Sequence, residues 1–366
     1  MAAAMISLKF QPSIPQVLPY PYPFSSKPKF LTLRSHISSA KNHDDGIPTD
    51  LVKTLAKFKS RHNFIRVLEV SRKSDHPFAG SRLLLLDAPG NIHSISFLLK
   101  LLTGTYFDVF ATFPPILPPG PLGILGFGAG SAAKLILELY PQGVVHGWEL
   151  DPAVIAVGRE FFGLSKLERQ FPDRLFIYVG NALSANMDSG FSGLLVDLFS
   201  KGCVIPELQD PDTWMKMKKK LKEGGRIMVN VGGSCVEAED SRRDGKVIMQ
   251  ETLKAMEKVF PGEVWVLNLG SNDDDSSIAV TGSLPNLDLW KKDLPKSLRL
   301  SLHSVDSFTT SLSIVKSKSK SLFSRTRRLS GRRTLALRLS GRRPSPFAAS
   351  PFAALPFAVS PSAPLP

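Results

Sequence analysis

Apolar and polar positions alternate in the first third of the chain. Phe64–Val70 reads FIRVLEV, and Arg82–Asp87 passes through a run of leucines into Ala88-Pro89-Gly90-Asn91, a turn signal. This patterning predicts a small β region, with a helix following over Ile95–Leu102. From Leu122 the pattern changes. Leu122–Phe127 is a short unbroken apolar run, the mark of a strand buried on both faces. Ala129–Tyr140 puts Ala132, Leu135, Ile136 and Leu139 on one helical face. Val144–Leu150 is a second strand, and Pro152 opens a helix that continues over Ala153–Phe162. Leu175–Val179, Leu194–Leu198 and Arg226–Val231 supply three more strands. A basic helix over Asp212–Lys222, closing in Gly224-Gly225, precedes the last of these, and a helix over Lys246–Val259 follows it.

Strands alternating with helices at this spacing predict a parallel, doubly wound sheet. Pro114–Pro121 (PPILPPGP) is a stiff linker ahead of it. The final strands, Val264–Leu269 and Ser277–Thr281, are separated by Gly270-Ser271-Asn272-Asp273-Asp274-Asp275 with no helix, so they should pair antiparallel. A dinucleotide-binding domain would continue with another crossover helix. The expected fold is therefore α/β, with a Rossmann-like class I methyltransferase sheet, parallel with a terminal antiparallel hairpin, over residues 120–284. The small β region before it spans 44–113.

The net charge of +14 sits at the two ends. Residues 1–43 carry five Lys/Arg and no acid, and eleven Lys/Arg without an acid follow Asp306. The segment between is close to neutral, which argues against a specific nucleic-acid partner. Residues 1–43 hold seven serines, and Pro12, Pro15, Pro19, Pro21 and Pro23 prevent the amphipathic helix of a mitochondrial presequence. They read as a chloroplast transit peptide, which points to a plant plastid protein. Residues 307–366 repeat Leu-Ser-Gly-Arg-Arg at 329–333 and 339–343 and Pro-Phe-Ala at 346, 351 and 356, a basic, disordered low-complexity tail. No apolar run reaches the length of a membrane span. Cys203 and Cys235 are the only cysteines, and no Cys/His spacing suggests zinc.

Candidate chemistry begins at Gly126-Phe127-Gly128-Ala129-Gly130-Ser131, between the first parallel strand and its helix. Gly126, Gly128 and Gly130 would let the backbone approach a ligand at a helix N-terminus. No Gly-Lys-Ser/Thr follows, so this is not a phosphate loop of the Walker type. Glu149 ends the next strand, where a carboxylate can accept hydrogen bonds from both hydroxyls of a ribose. His146, on the same strand, reads as a structural residue.

The segment Gly147-Trp148-Glu149-Leu150-Asp151-Pro152-Ala153-Val154-Ile155, with the glycine loop ahead of it, resembles the spermidine synthase family. The resemblance covers about residues 120–282. It implies a decarboxylated S-adenosylmethionine or S-adenosyl-L-methionine cofactor, with Glu149 on the ribose and Asp151 close by. It also implies adenine contacts at Asn181 and Ala182, where the family has an acid in place of Asn181, and a catalytic Asp197 that deprotonates the acceptor. Ser200 stands where the family has a second polyamine-binding acid. Ahead of the loop only Tyr106 and Asp108 are on offer for the family's other polyamine contacts. The expected activity is an S-adenosyl-dependent transfer of a methyl or aminopropyl group to a small-molecule acceptor, and a homodimer is compatible with it. Two alternatives stay open: a catalytically silent nucleoside-binding or regulatory protein of the same fold, and an NAD-dependent oxidoreductase.

Overall fold

The computed structural model describes residues 30–32, 46–87, 90–233, 238–240, 242–268, 277–302 and 308–310. The turn at Ala88-Pro89, the loop Gly270–Asp275, Cys235 and the low-complexity tail from residue 311 lie outside them, as does most of 1–43. Phe30–Thr32, inside the expected transit segment, pairs antiparallel with Gly46–Pro48.

Four antiparallel strands come first: β1 (Val52–Lys59), β2 (Phe64–Val70), β3 (Ser81–Leu85) and β4 (Ile92–Phe97), paired in sequence order. Two differ from the sequence expectation. β1 is an edge strand whose outward Lys53, Lys57 and Lys59 dilute its apolar pattern. β4 replaces the front of the helix expected over Ile95–Leu102. Leu83 pairs with Ile95 and Ser81 with Phe97, so the ladder outweighs the helix-like apolar run Phe97–Leu102. That run instead leaves Leu98 and Leu99 exposed.

After helix α1 (Tyr106–Phe110), the larger sheet is built from β5 (Leu122–Leu125), β6 (Val145–Glu149), β7 (Leu175–Val179), β8 (Phe191–Val196), β9 (Leu221–Gly232), β10 (Val264–Asn268), β11 (Ser277–Thr281) and β12 (Phe308–Thr310). Their order across the sheet is β12-β10-β11-β9-β8-β5-β6-β7. The five from β9 to β7 run parallel, and β11 inserts antiparallel between β9 and β10. The reversal of strand order between β5 and β8 opens a crevice at their carboxyl ends, where ligands bind in such sheets.

Helices α2 (Ser131–Leu139), α3 (Pro152–Phe161), α4 (Leu164–Gln170), α5 (Pro211–Lys218) and α6 (Gly245–Val259) cover the sheet, and α7 (Leu287–Asp293) follows the hairpin. Because the central strands are buried on both faces, adjacent residues feed different cores. Leu194 and Val196 pack into a cluster with α5 and α6, while Leu195 joins the one that contains α2 and the small β sheet. The basic helix ends at Lys218 rather than Lys222. Leu221 already pairs with Phe191, and the register then slips so that Gly193 faces Arg226. Gly224-Gly225 therefore sit in a strand bulge and not at a helix terminus. Between β7 and β8 the chain makes only a 3-10 turn, Ala182–Ser184. Among the described residues no helix stands between these two strands in the chain, and Phe176 and Tyr178 are exposed beside His146. The His146 ring stacks on Phe176 at 4.6 Å, and its Nδ1 lies 3.0 Å from the Tyr178 hydroxyl, away from the crevice.

Candidate functional site

A cleft of about 430 Å³ opens at the carboxyl ends of β5, β6, β7 and β8, with the small sheet on one side. Gly126, Gly128, Glu149, Asn181, Ala182 and Asp197 line it, so six residues from four separate segments converge there. Gly130 and Asp151 do not line it.

The β5–α2 turn is tight because its glycines take up positive φ, +89° at Gly126 and +57° at Gly128. A Cβ on Gly126 would stand 2.1 Å from the Asp197 carbonyl oxygen. The main role of this glycine is thus to let β8 come close, and Asp197 reaches the cleft as a result. Gly130 caps α2 at φ +91°, packed on Phe127 and Leu164, and borders a separate small cavity.

Glu149 is buried, and each of its oxygens holds one backbone donor. Oε2 accepts from Gly128 N–H at 2.9 Å, and Oε1 accepts from Asp151 N–H at 3.1 Å. Burial raises its pKa, opposed by these two donors and reinforced by the nearby Asp151 charge. A carboxylate oxygen has two lone pairs, so both oxygens can still accept from a cis-diol. Leu150, half exposed, and Leu183 add apolar surface to the cleft beside Glu149, suited to a flat ring. The chemistry of this set fits a ribosyl nucleoside. The Asn181 Oδ1 accepts from Leu183 N–H at 2.9 Å and shapes the 3-10 turn, so its first use is local. Asp151 is fully buried. It caps α3 through Ala153 N–H and accepts from Ser60 Oγ and, at 2.7 Å, from Asn63 Nδ2 of the small sheet. It supports the wall of the cleft without facing the ligand.

The other end of the cleft is organised around Asp197. Its Oδ2 accepts from the Tyr106 hydroxyl at 2.7 Å, and its Oδ1 accepts from Asn230 Nδ2 at 3.1 Å. Asn230 is held in turn, its Oδ1 accepting from Gly232 N–H. Burial pushes the Asp197 carboxyl up to about 6, against the Tyr106 hydrogen bond, the charge of His93 and the Asn230 hydrogen bond, which hold it down. The Tyr106 hydroxyl is raised far above its usual range by its own burial and by the Asp197 charge. Asp108 is taken up locally, accepting from Thr103 N–H, Thr103 Oγ1 and Gly104 N–H. Ser200 lies on the cleft lining, to which the exposed Glu207 also contributes.

Sequence reading left Tyr106 without a register and passed over His93 and Asn230, which come from β4 and β9. Tyr106 and Asp197 are 91 positions apart, so only the fold brings them together. The raised Asp197 pKa has a measurable consequence. A carboxyl that titrates near 6 when folded and near 4 when unfolded contributes stability that is complete below about 4 and is lost as pH rises through about 6. Asp197→Asn should therefore raise the melting temperature at pH 7, by of order 1–2 kcal/mol of stability, and flatten the fall between pH 4 and 6. Melts of both proteins across pH 3–8 would check this, and an unchanged slope would refute it.

Among the described residues no group of three or more His, Cys, Asp and Glu could hold a metal, and no helix is long and apolar enough to cross a membrane. No family model matches the chain. A probable polyamine aminopropyl transferase of Bifidobacterium longum is 22% identical over 165 residues, 45% of this chain and 35% of that protein. The chain thus spans about a third of the length of the curated relative it matches. Similar solved structures include a spermidine synthase in complex with the transition state analogue AdoDATO (15% identity, 69% of this chain and 78% of that chain, TM-score 0.45). A probable spermidine synthase from Corynebacterium glutamicum has 15% identity, 69% and 95% coverage and a TM-score of 0.47. Human methyltransferase-like protein 13 in complex with SAH has 17% identity, 57% and 89% coverage and a TM-score of 0.38. The order of strands, parallel from β7 to β9 with a terminal antiparallel hairpin, is that of the Rossmann-like class I methyltransferases.

Proposed function

We propose that this protein is an S-adenosyl-dependent transferase that moves a methyl or aminopropyl group to a small nucleophilic acceptor. The observation that carries this reading is the cleft itself, where Glu149 and the glycine loop stand at one end and the Tyr106–Asp197 pair at the other. Glu149 would hold the ribose, Leu150 and Leu183 the adenine, and Gly126 and Gly128 the neighbourhood of the sulfur. When bound, the sulfonium supplies an electrophilic carbon.

The residues of this chain then have three tasks. They hold the acceptor in line with that carbon, exclude water and receive a proton. The acceptor's lone pair forms the new bond to carbon as the sulfur–carbon bond breaks, and the pair of that bond remains on sulfur as a neutral thioether. The acceptor's proton passes to Asp197 Oδ, where Tyr106 and Asn230 fix the carboxylate and its pKa of about 6 suits it to act near neutral pH. The terminal antiparallel hairpin speaks against an NAD-dependent oxidoreductase.

A second reading, a silent nucleoside-binding protein, draws on Ser200. Asp197 is the one buried carboxylate beside Ser200, since Glu207 on the lining is exposed, so a dicationic diamine would lose its water without full replacement. Mass spectrometry of small molecules co-purifying with the protein tests both readings. A bound S-adenosyl nucleoside supports the proposal, and turnover over a panel of amine and hydroxyl acceptors separates the transferase from the silent form. Co-purifying NAD would reject both. We also propose a plastid address, on the composition of residues 1–43. These residues fused to a fluorescent protein should direct it to chloroplasts, and cytosolic fluorescence would reject the address.

A further inference from the structure

The glycine loop has no main-chain donor to spare. The N–H groups of Gly126 and Phe127 both go to the Trp148 carbonyl, at 3.1 and 2.8 Å. Gly128 donates to Glu149, Ala129 to the Ser94 hydroxyl at 2.9 Å, and Gly130 to the Phe127 carbonyl at 3.1 Å. The first-turn amides of α2, Ser131 to Ala133, belong to residues that do not line the cleft, and those of residues 126–130 are already spent, so an anionic group on a ligand lying along the loop inside the cleft meets no backbone donor there. The acidic side chains lining the cleft, Glu149, Asp197 and Glu207, would repel it.

One side chain over the loop has the opposite character. His93 arrives on β4, with its carbonyl oxygen 3.2 Å from the place a Gly128 Cβ would occupy, and it lines the same cleft. Its charge acts on both Glu149 and Asp197. The ring is oriented from behind by Asp87, whose Oδ2 lies 3.2 Å from Nε2. Asp87 is itself buried and fixed. Its Oδ1 accepts from Gly90 N–H and Asn91 N–H, and its Oδ2 from Asn91 Nδ2 at 2.6 Å. Its carbonyl accepts from the Arg66 guanidinium, so a further positive charge stands behind the pair. Nε2 donates to the Asp87 carboxylate and Nδ1 is the edge left for a ligand; a carboxylate bound at Nδ1 is held by the imidazolium form, in which both ring nitrogens donate. Among the described residues Nδ1 has no hydrogen-bond partner. The other cleft histidine, His62, adjoins Asn63, which is bonded to Asp151, and so belongs to the rim beyond Glu149.

We infer that the cleft selects the carboxylate-bearing sulfonium nucleoside, S-adenosylmethionine itself, over its decarboxylated form. His93 is the partner of the α-carboxylate, and Asp87 is the residue that positions His93. This rests on the transferase reading above and deepens it, because the group transferred from such a ligand is the methyl. The decarboxylated nucleoside brings the same ribose, adenine and sulfur but leaves His93 facing nothing.

Calorimetric titration of the full chain with three probes tests this: S-adenosylmethionine, its decarboxylated form, and 5′-methylthioadenosine, which has no amino-acid tail. The protein should bind S-adenosylmethionine at least about tenfold more tightly than the decarboxylated form, the margin of one charge-assisted hydrogen bond. His93→Gln should bring that ratio to within about threefold, and His93→Arg should retain it. Asp87→Asn should reduce the ratio while 5′-methylthioadenosine affinity stays within about twofold, a split that a merely structural Asp87 would not produce. Equal or tighter binding of the decarboxylated form by the unaltered protein overturns the inference, as does a ratio unmoved by His93→Gln. If none of the three probes binds, the nucleoside reading falls and this inference with it. If 5′-methylthioadenosine binds and the ratio is flat, only the inference falls.

Discussion

Gly126→Ala should be the most damaging single-methyl change in the sheet region, costing roughly 3–5 kcal/mol of stability. Two penalties add there. The backbone is at φ +89°, a conformation that costs a residue with a Cβ about 1–2 kcal/mol. The new methyl would also stand 2.1 Å from the Asp197 carbonyl oxygen, and that oxygen belongs to main chain that follows directly on a buried strand and cannot swing away. Relief requires β5 and β8 to separate, which disturbs both cores. Gly163→Ala is the control, since its φ is +79° but nothing lies within 4 Å of its Cβ position. It should cost about 1 kcal/mol, the conformational penalty alone. Urea denaturation of the two variants measures the difference. If they are equally stable, the close approach of Asp197 to the loop is wrong.

Replacing Glu149 should have the largest effect on ligand. Glu149→Ala removes the acceptors of two ribose hydroxyls, each charge-assisted bond contributing about 1.5–3 kcal/mol, so S-adenosylhomocysteine should bind roughly a hundredfold or more weakly. Glu149→Gln separates two contributions. Its amide keeps one carbonyl acceptor for Gly128 or Asp151 N–H but presents an NH2 to the other donor, so the loop loosens and the diol loses one partner. A loss of about tenfold is expected, with a fall in stability of about 1–2 kcal/mol from the unmatched backbone donor. Calorimetry and thermal melts on both variants check this. Undiminished binding by Glu149→Ala would remove the basis for the proposed function.

Legibility followed the apolar runs. β5, β8 and Ile227–Val229 of β9 are apolar runs buried on both faces, β6 is one interrupted by His146 and Gly147, and β7 is one whose Phe176, Tyr178 and Val179 reach solvent; their alternation with α2, α3 and α6 could be read without tertiary information. The hairpin was legible for the same reason, because no helical period separates Val264 from Thr281. The small sheet was harder. Lys53, Lys57 and Lys59 break the pattern of β1, and the run Phe97–Leu102 imitates a helix face although Leu98 and Leu99 end up in solvent. At the cleft, the glycine loop and Glu149 announced themselves because they are close in the chain and on adjacent strands. Their reasons were less legible. Gly126 is small because Asp197 crowds it, and Asp151 belongs to the structure behind the cleft. Tyr106, His93 and Asn230 carry no local signal, since each acquires its meaning from a partner on another element.

The hydrogen bonds that Ser94 Oγ accepts from Ala129 N–H, that Ser131 Oγ exchanges with the Ile95 main chain, and that Asp151 receives from Ser60 and Asn63 make the small sheet part of the wall of the cleft. Evolution and engineering face the same restriction: the small sheet from Val52 to Phe97 is not a detachable accessory. A shortened gene that starts at the proline-rich stretch would encode a sheet in proper order whose glycine turn has lost the hydroxyl that steadies Ala129. Swapping this front piece among homologues would transplant ligand preference together with whichever side chain replaces His93.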